Sequence, residues 1–126
     1  MKIKLKKEKY KHECFFGITS YTHEARIVSL VNKMFNVSLQ ITEDNEDEII
    51  FMYEDDTKLI FLLKNMRKYR LLNQKLRGVN FVILVYSNED VCDYYFEQLL
   101  KMKNEEEDII FSGKLMPSHI DKRFRL

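Results

Sequence analysis

The apolar run at residues 79–86, Val-Asn-Phe-Val-Ile-Leu-Val-Tyr, constrains the fold of this chain more than any other segment. β-Branched and aromatic side chains fill it, and these residue types favour the extended backbone of a strand. The sequence therefore predicts a sheet that contains this strand. Because only three glycines and one proline occur in 126 residues, long linkers are not expected, and we predict one domain over residues 1–126.

Further strands are predicted from shorter apolar runs and from polar–apolar alternation. They cover residues 13–19, 37–41, 49–53, 58–64 and 108–116. The Glu-Asp-Asp-Thr segment between the third and fourth of these runs is typical of a hairpin turn. Residues 1–12 alternate lysine with apolar residues and are interpreted as a basic N-terminal arm or an edge strand, and residues 117–126 as a basic C-terminal tail.

Two helices are predicted from apolar residues at helical spacing. The first covers residues 22–35, with Ser20 or Thr22 as its N-cap and Asn36 as a left-handed stop. The second covers residues 88–103, opened by a capping-box pattern at Ser87 and Asp90. Its expected inward-facing residues are Val91, Cys92, Tyr95, Phe96, Leu99 and Leu100.

The element order is strand, helix, a group of strands with a hairpin, strand, helix, strand. Two strand–helix–strand units around one sheet indicate an α+β fold of the ferredoxin-like, split βαβ type. We expect a two-layer sandwich, with a mostly antiparallel sheet and both helices on one face.

The residues that carry common chemistries are few and scattered. The three glycines are too dispersed for a phosphate-binding loop, the three histidines have no metal-ligand spacing, and no serine lies in a nucleophile elbow. We therefore predict a non-enzymatic protein without cofactor or metal. Cys14 and Cys92 are interpreted as reduced, mostly buried thiols. No apolar stretch is long enough for a membrane span, and a cytoplasmic location is predicted.

Charge is segregated along the chain, although the net charge is only +1. Residues 34–57 hold eight acids and no Lys or Arg, whereas residues 64–77 hold six bases and no acid. A basic surface of this kind can bind nucleic acid or an acidic partner. The alternative is that the acidic and basic loops pair within the molecule.

The segment from Arg77 resembles the third strand of an RNA-recognition motif, matching it at Arg77, Gly78, Phe81 and Val82. Residues 14–19, Cys-Phe-Phe-Gly-Ile-Thr, are similar to the first strand of that motif, with Phe15 in the position of its second stacking ring. The resemblance implies exposed Phe15 and Phe81 rings on which RNA bases stack. The alternative, favoured by the continuously apolar runs, is that both rings belong to the core.

A second resemblance covers more of the chain. Residues 15–40 are similar to the opening of the bacterial IPExxxVDY family, with matches at Ile18, Ser20, Arg26, Val31, Asn32 and Lys33. Residues 51–56 and 62–65 resemble later segments of that family. Its defining signature would fall at residues 73–81, where Val79 matches and Asn80 and Phe81 replace Asp and Tyr. The resemblance implies a fold and a compartment but no activity.

The leading functional hypothesis is a small binding or adaptor domain that acts through protein–protein contacts, as a monomer or a homodimer. The alternative is an RNA- or DNA-binding protein that uses residues 64–77 and the termini. The candidate contact residues are Lys64, Arg67, Lys68, Arg70, Lys75, Arg77, Phe15, Phe81, Lys122, Arg123 and Arg125.

Overall fold

The computed structural model describes residues 9–44, 49–64, 78–120 and 125. The elements follow the predicted order. They are β1 (His12–Ser20), α1 (Glu24–Phe35), β2 (Gln40–Asp44), β3 (Ile49–Glu54), β4 (Lys58–Lys64), β5 (Phe81–Ser87), α2 (Cys92–Glu105), β6 (Ile109–Leu115) and a 3₁₀ turn at Pro117–His119.

The strands form one sheet in the order β2-β3-β4-β5-β1-β6, and every described pairing is antiparallel. The interior strand β1 pairs with β5 on one side, where Phe16 lies opposite Ile83, and with the edge strand β6 on the other. The predicted mixed α+β class with an antiparallel sheet is confirmed. Its ferredoxin-like form is not confirmed, because that fold has four strands and six are described here.

Helix α1 begins two residues later than predicted and has a different cap. His23 is the N-cap, and its Nδ1 accepts a hydrogen bond from the Ala25 N–H at 3.1 Å. Ser20 and Thr22 do not fill this role, because Ser20 is already the last residue of β1. The helix ends as predicted at Asn36, whose φ of 53° and ψ of 50° are left-handed.

Helix α2 also begins later than predicted, at Cys92. The capping box at Ser87 and Asp90 does not form, because Ser87 closes β5 and Val91 is the N-cap without a side-chain bond. The inward face agrees with the prediction at five of its six residues: Tyr95 and Leu99 are buried, and Val91, Cys92 and Phe96 are partly buried against the core. Leu100 is 38% exposed, while Met102, which was not predicted to face inward, is fully buried.

The sheet is apolar on both faces. Both helices cover one face, and their buried side chains join those of β1, β4 and β5 in one cluster. Phe35 of α1 stacks on Tyr95 of α2 with ring centroids 4.2 Å apart, so the two helices also contact each other. A second cluster lies on the opposite face and includes Phe15, Leu84 and Tyr86. Strand β5 is therefore buried throughout its length.

The described parts of both chain ends pack against this second face. Tyr10, which precedes β1, and Ile120, which follows the 3₁₀ turn, are buried in the second cluster. The start of the predicted C-terminal tail is therefore part of the core. Residues 1–8 of the predicted basic arm lie outside the described residues.

Candidate functional site

The predicted basic surface is described at only two of its residues. Lys64 ends β4 with an exposed side chain, and its Nζ lies 3.7 Å from Glu24 Oε2 at the start of α1. Arg125 is half-buried. The remaining basic candidates lie outside the described residues; they are Arg67, Lys68, Arg70, Lys75, Arg77, Lys122 and Arg123.

The two aromatic candidates, Phe15 and Phe81, are both buried, with exposed fractions of 1% and 3%. They also lie on opposite faces of the sheet, since Phe81 belongs to the helix-covered cluster and Phe15 to the second cluster. Bases that stack on an RNA-recognition sheet need exposed rings on one face. The interpretation of these two rings as stacking platforms is therefore corrected to a core role.

Among the described residues, one ion pair joins the basic N-terminal segment to the acidic segment at residues 34–57. Lys9 Nζ lies 4.0 Å from Glu54 Oε2, which joins the start of the chain to the acidic hairpin. Both side chains are solvent-accessible, so the pair contributes little to stability. It is nevertheless the kind of contact expected if opposite charges pair within the molecule.

The acidic turn between β3 and β4 is organised around Asp55. Asp55 Oδ1 accepts hydrogen bonds from the Thr57 N–H, the Thr57 hydroxyl and the Lys58 N–H, and Oδ2 accepts one from the Tyr53 hydroxyl. Burial acts to raise the pKa of Asp55, but these hydrogen bonds outweigh it and hold the pKa well below its usual value. Both oxygens of the Asp55 carboxylate are thus used in hydrogen bonds that stabilise the turn.

Among the described residues, no group of three or more His, Cys, Asp or Glu side chains is placed to hold a metal ion.

The outer edge of β6 has exposed apolar side chains close to backbone groups that no other described strand pairs with. β6 pairs with β1, and no other described strand pairs with it. Ile110 is 54% exposed near the start of this strand, and Met116, which follows its end, is 56% exposed. An edge of this kind combines unpaired N–H and C=O groups with apolar side chains.

The start of β6 is held rigidly. A bulge between Thr19 and Ser20 shifts the β1–β6 register, so that Ser20 lies opposite Ile109 and Thr19 opposite Phe111. The Ser20 hydroxyl donates to the Asp108 carbonyl at 2.7 Å. Arg26 of α1 completes this corner with ion pairs to Glu106 at 2.6 Å and to Asp108 at 3.2 Å.

Helix α2 packs beside β6 and has exposed apolar side chains of its own. Tyr94 is 57% exposed on this helix, and Leu100 is exposed as noted above. Lys114 is the exposed basic residue within β6 itself. We call the outer side of β6, with the exposed residues Ile110, Lys114 and Met116, the β6 edge.

The other edge of the sheet, β2, differs in charge. Ile41 is 50% exposed there, which makes it comparable to Ile110. However, β2 ends in Glu43 and Asp44, and residues 46–48 continue the acidic run. Charged residues on an edge strand discourage pairing with another chain, and β2 has two of them whereas β6 has one, Lys114.

The sequence did not single out Ile110 or Met116. The run Ile-Ile-Phe at 109–111 is apolar at every position, so alternation cannot tell which side chain faces solvent. Ile110 is the residue of β6 that the register shift leaves without a partner in β1, and a bulge between strands so distant in the chain leaves no local signal.

Comparisons with known proteins do not place the chain: no protein-family model matches it, and a search of curated proteins finds no match either. Within the described residues, the helices are all too short or too polar to cross a membrane.

Proposed function

We propose that this protein is a protein-binding module whose β6 edge takes up an extended segment of a partner. The observation that carries the proposal is the coincidence, at one edge, of a strand with one described neighbour and two side chains more than half exposed, Ile110 and Met116. Strand addition supplies affinity through backbone hydrogen bonds and specificity through alternate side chains.

The fixed corner at the start of β6 supports this choice of edge. Arg26 and Ser20 hold Asp108 in place, so the edge is preorganised before a partner arrives. Preorganisation lowers the entropic cost of binding. We expect the partner segment to present apolar side chains toward Ile110 and Met116, and an acid toward Lys114.

The test compares one substitution on the two edges of the same sheet. Tagged wild-type protein, Ile110→Glu and Ile41→Glu are recovered from cells of the source organism, and the bound proteins are quantified. The two isoleucines are similarly exposed and both lie on edge strands. We expect a bound protein that is at least tenfold depleted by Ile110→Glu and retained by Ile41→Glu. Equal recovery with all three baits would reject the β6 edge as the binding surface.

Nucleic-acid binding is the second hypothesis, and the same samples test it. Phosphate-driven binding weakens steeply as salt rises, because condensed counterions are released. RNA or DNA that co-purifies at low salt, falls away at high salt and is indifferent to Ile110→Glu would favour this alternative. The engagement of Lys64 with Glu24 and of Lys9 with Glu54 reduces the basic charge available for it.

We also propose that the sheet is an extended split βαβ fold. Taken alone, the strands β1, β4, β5 and β6 have the spatial order β4-β5-β1-β6, with α1 after the first of them and α2 before the last. This is the arrangement of a ferredoxin-like core. Strands β3 and β2 are then added to the sheet on the outer side of β4. A solved structure in which β6 and β1 are not neighbours would contradict it.

The kinship with IPExxxVDY proteins and the cytoplasmic location are kept as proposals. Support for the first is the strand-to-helix opening at residues 15–35, where the resemblance has most of its matches. Support for the second is the pair of free thiols, Cys14 and Cys92, since reducing compartments preserve thiols. Sequences of close homologues and a fluorescent fusion, respectively, would test the two proposals.

A further inference from the structure

The two cysteines, far apart in the sequence, meet in the fold. Cys14 is 5% exposed on the helix-covered face of β1, and Cys92 is the half-buried first residue of α2. Both belong to the same apolar region between helix and sheet. Cys92 Sγ donates to the carbonyl of Glu13, the residue before Cys14, at 3.5 Å, and each thiol influences the pKa of the other.

The contact joins a rigid residue to an adjustable one. Cys14 pairs with Val85 of β5, and the next residue, Phe15, pairs with both β5 and β6, so Cys14 has a fixed position. Cys92 follows the short segment 88–91, and its cap, Val91, has no side-chain hydrogen bond. Asp90 Oδ1 accepts from the Cys92 N–H at a long 3.4 Å. Formation of a disulfide requires the first turn of α2 to bring the two sulfur atoms to a separation of about 2 Å.

We propose that Cys14 and Cys92 are a redox-reversible pair that forms an intramolecular disulfide when the protein meets a peroxide. The proposal is independent of the partner taken up at the β6 edge. It assigns a modification site to two residues that are otherwise only core-packing side chains.

The reaction proceeds in two balanced steps. The Cys92 thiolate attacks the O–O bond of hydrogen peroxide, which gives a sulfenic acid on Cys92 and releases hydroxide, protonated to water. The Cys14 sulfur then attacks the Cys92 sulfur; the S–O bond breaks, and a second water leaves with the Cys14 proton. The two thiols lose two electrons in total, and the peroxide is reduced to water. A dithiol reductant reverses the modification by thiol–disulfide exchange.

The surroundings decide which thiol reacts first. Cys92 is the more exposed of the two, and it lies at a helix N-terminus, where a thiolate is favoured. Burial raises the pKa of both thiols, and most strongly that of Cys14. The Cys14 thiol opposes the rise of the pKa at Cys92. The positive charge of Lys114 lowers the pKa of both thiols, and the negative charge of Asp90 raises it.

A disulfide would link the first residue of α2 covalently to β1. A cross-link between residues so distant in the chain removes much of the freedom of the unfolded state. We therefore expect the oxidised protein to melt at a temperature on the order of 10 °C higher than the reduced protein.

The experiment treats the purified full-length protein with hydrogen peroxide, followed by intact-mass measurement and non-reducing peptide mapping. The expected result is a monomer that has lost two hydrogen atoms, a peptide pair that joins Cys14 to Cys92, and a raised Tm that dithiothreitol reverses. Cys92→Ser and Cys14→Ala are the matched controls; each is expected to show no cross-link and no dithiothreitol-sensitive Tm. If Cys14→Ala fails to fold, Cys92→Ser alone carries the comparison.

Two results would overturn the proposal. The first is a wild-type protein in which both thiols remain open to alkylation after peroxide treatment. The second is a product that stops at sulfinic acid on Cys92 or forms only disulfide-linked dimers.

Discussion

At the scale of single residues, Gly17 is the clearest case of a side chain excluded by its neighbours. It lies in β1 opposite Val82 on one side and Gly113 on the other. A Cβ at this position would be 3.0 Å from Val79 Cγ1 and 3.3 Å from both Leu115 methyl carbons. The close approach of these two apolar residues from separate segments requires the hydrogen side chain.

We expect Gly17→Ala to lower the free energy of unfolding by about 1–3 kcal/mol, because an added methyl forces a packed core apart. Gly78→Ala is the matched control. No atom lies within 4 Å of a Cβ built there, and neither glycine needs a positive φ. Its expected effect is between neutral and a stabilisation of about 0.5–1 kcal/mol. Denaturant unfolding measures both; equal effects at the two sites would refute the packing argument.

At the scale of elements, local sequence signals account for much of what forms. Strand β4 was predicted with its observed bounds, Lys58–Lys64, and the stop of α1 at Asn36 was predicted with its conformation. The errors lie at helix starts, where His23 replaced the expected hydroxyl cap and α2 began after an incomplete capping box, and at β2, which was predicted over residues 37–41 and lies at Gln40–Asp44. Helix starts depend on where the preceding strand ends, and pairing across the sheet decides that end.

The β3–β4 hairpin depends on Asp55, and its stability should depend on pH for that reason. The pKa of this carboxyl is held below its usual value in the folded protein, so the ionised form favours folding. Its contribution is complete above the unfolded pKa of about 4 and is lost as pH falls below that value. We expect Asp55→Ala to cost about 1–2 kcal/mol at pH 7 through lost turn hydrogen bonds, and less at pH 3.

The exposed neighbour Asp56 provides the control for that experiment, since Asp56→Ala removes the same charge outside the turn network. Urea unfolding at several pH values gives the comparison. A penalty for Asp55→Ala that does not change between pH 7 and pH 3 would contradict the assigned role.

At the scale of the whole molecule, burial on both faces of the sheet is the dominant property. Neighbouring β5 residues Ile83 and Leu84 point to opposite faces, and both have an exposed fraction of 0%. In a sheet with one solvated face, truncating every second side chain would change the free energy of unfolding only slightly. In this protein, side chains on both faces of β5 are packed in a cluster, so both contribute to the free energy of unfolding.

We expect Ile83→Ala and Leu84→Ala each to lower the free energy of unfolding by about 2–5 kcal/mol, the range for emptying a packed site. Ile41→Ala, at a half-exposed edge position, should cost less than about 1 kcal/mol. Thermal and chemical unfolding would check all three. A small effect for Leu84→Ala beside a large one for Ile83→Ala would mean that the second face is not a core.

The sequence by itself determined the α+β class, the order of strands and helices and the bounds of β4, because backbone propensity and hydrophobic spacing act over a few residues. The tertiary structure decided which strands are neighbours, which cysteines meet, and which residues of a uniformly apolar run face solvent. The sequence left two alternatives open for Phe15 and Phe81, a place in the core or on an RNA-binding surface. Their positions in the two clusters, on opposite faces of the sheet, decided for the core. Backbone hydrogen bonds are alike for every strand pair, so partner choice depends on packing between segments that are remote in the chain.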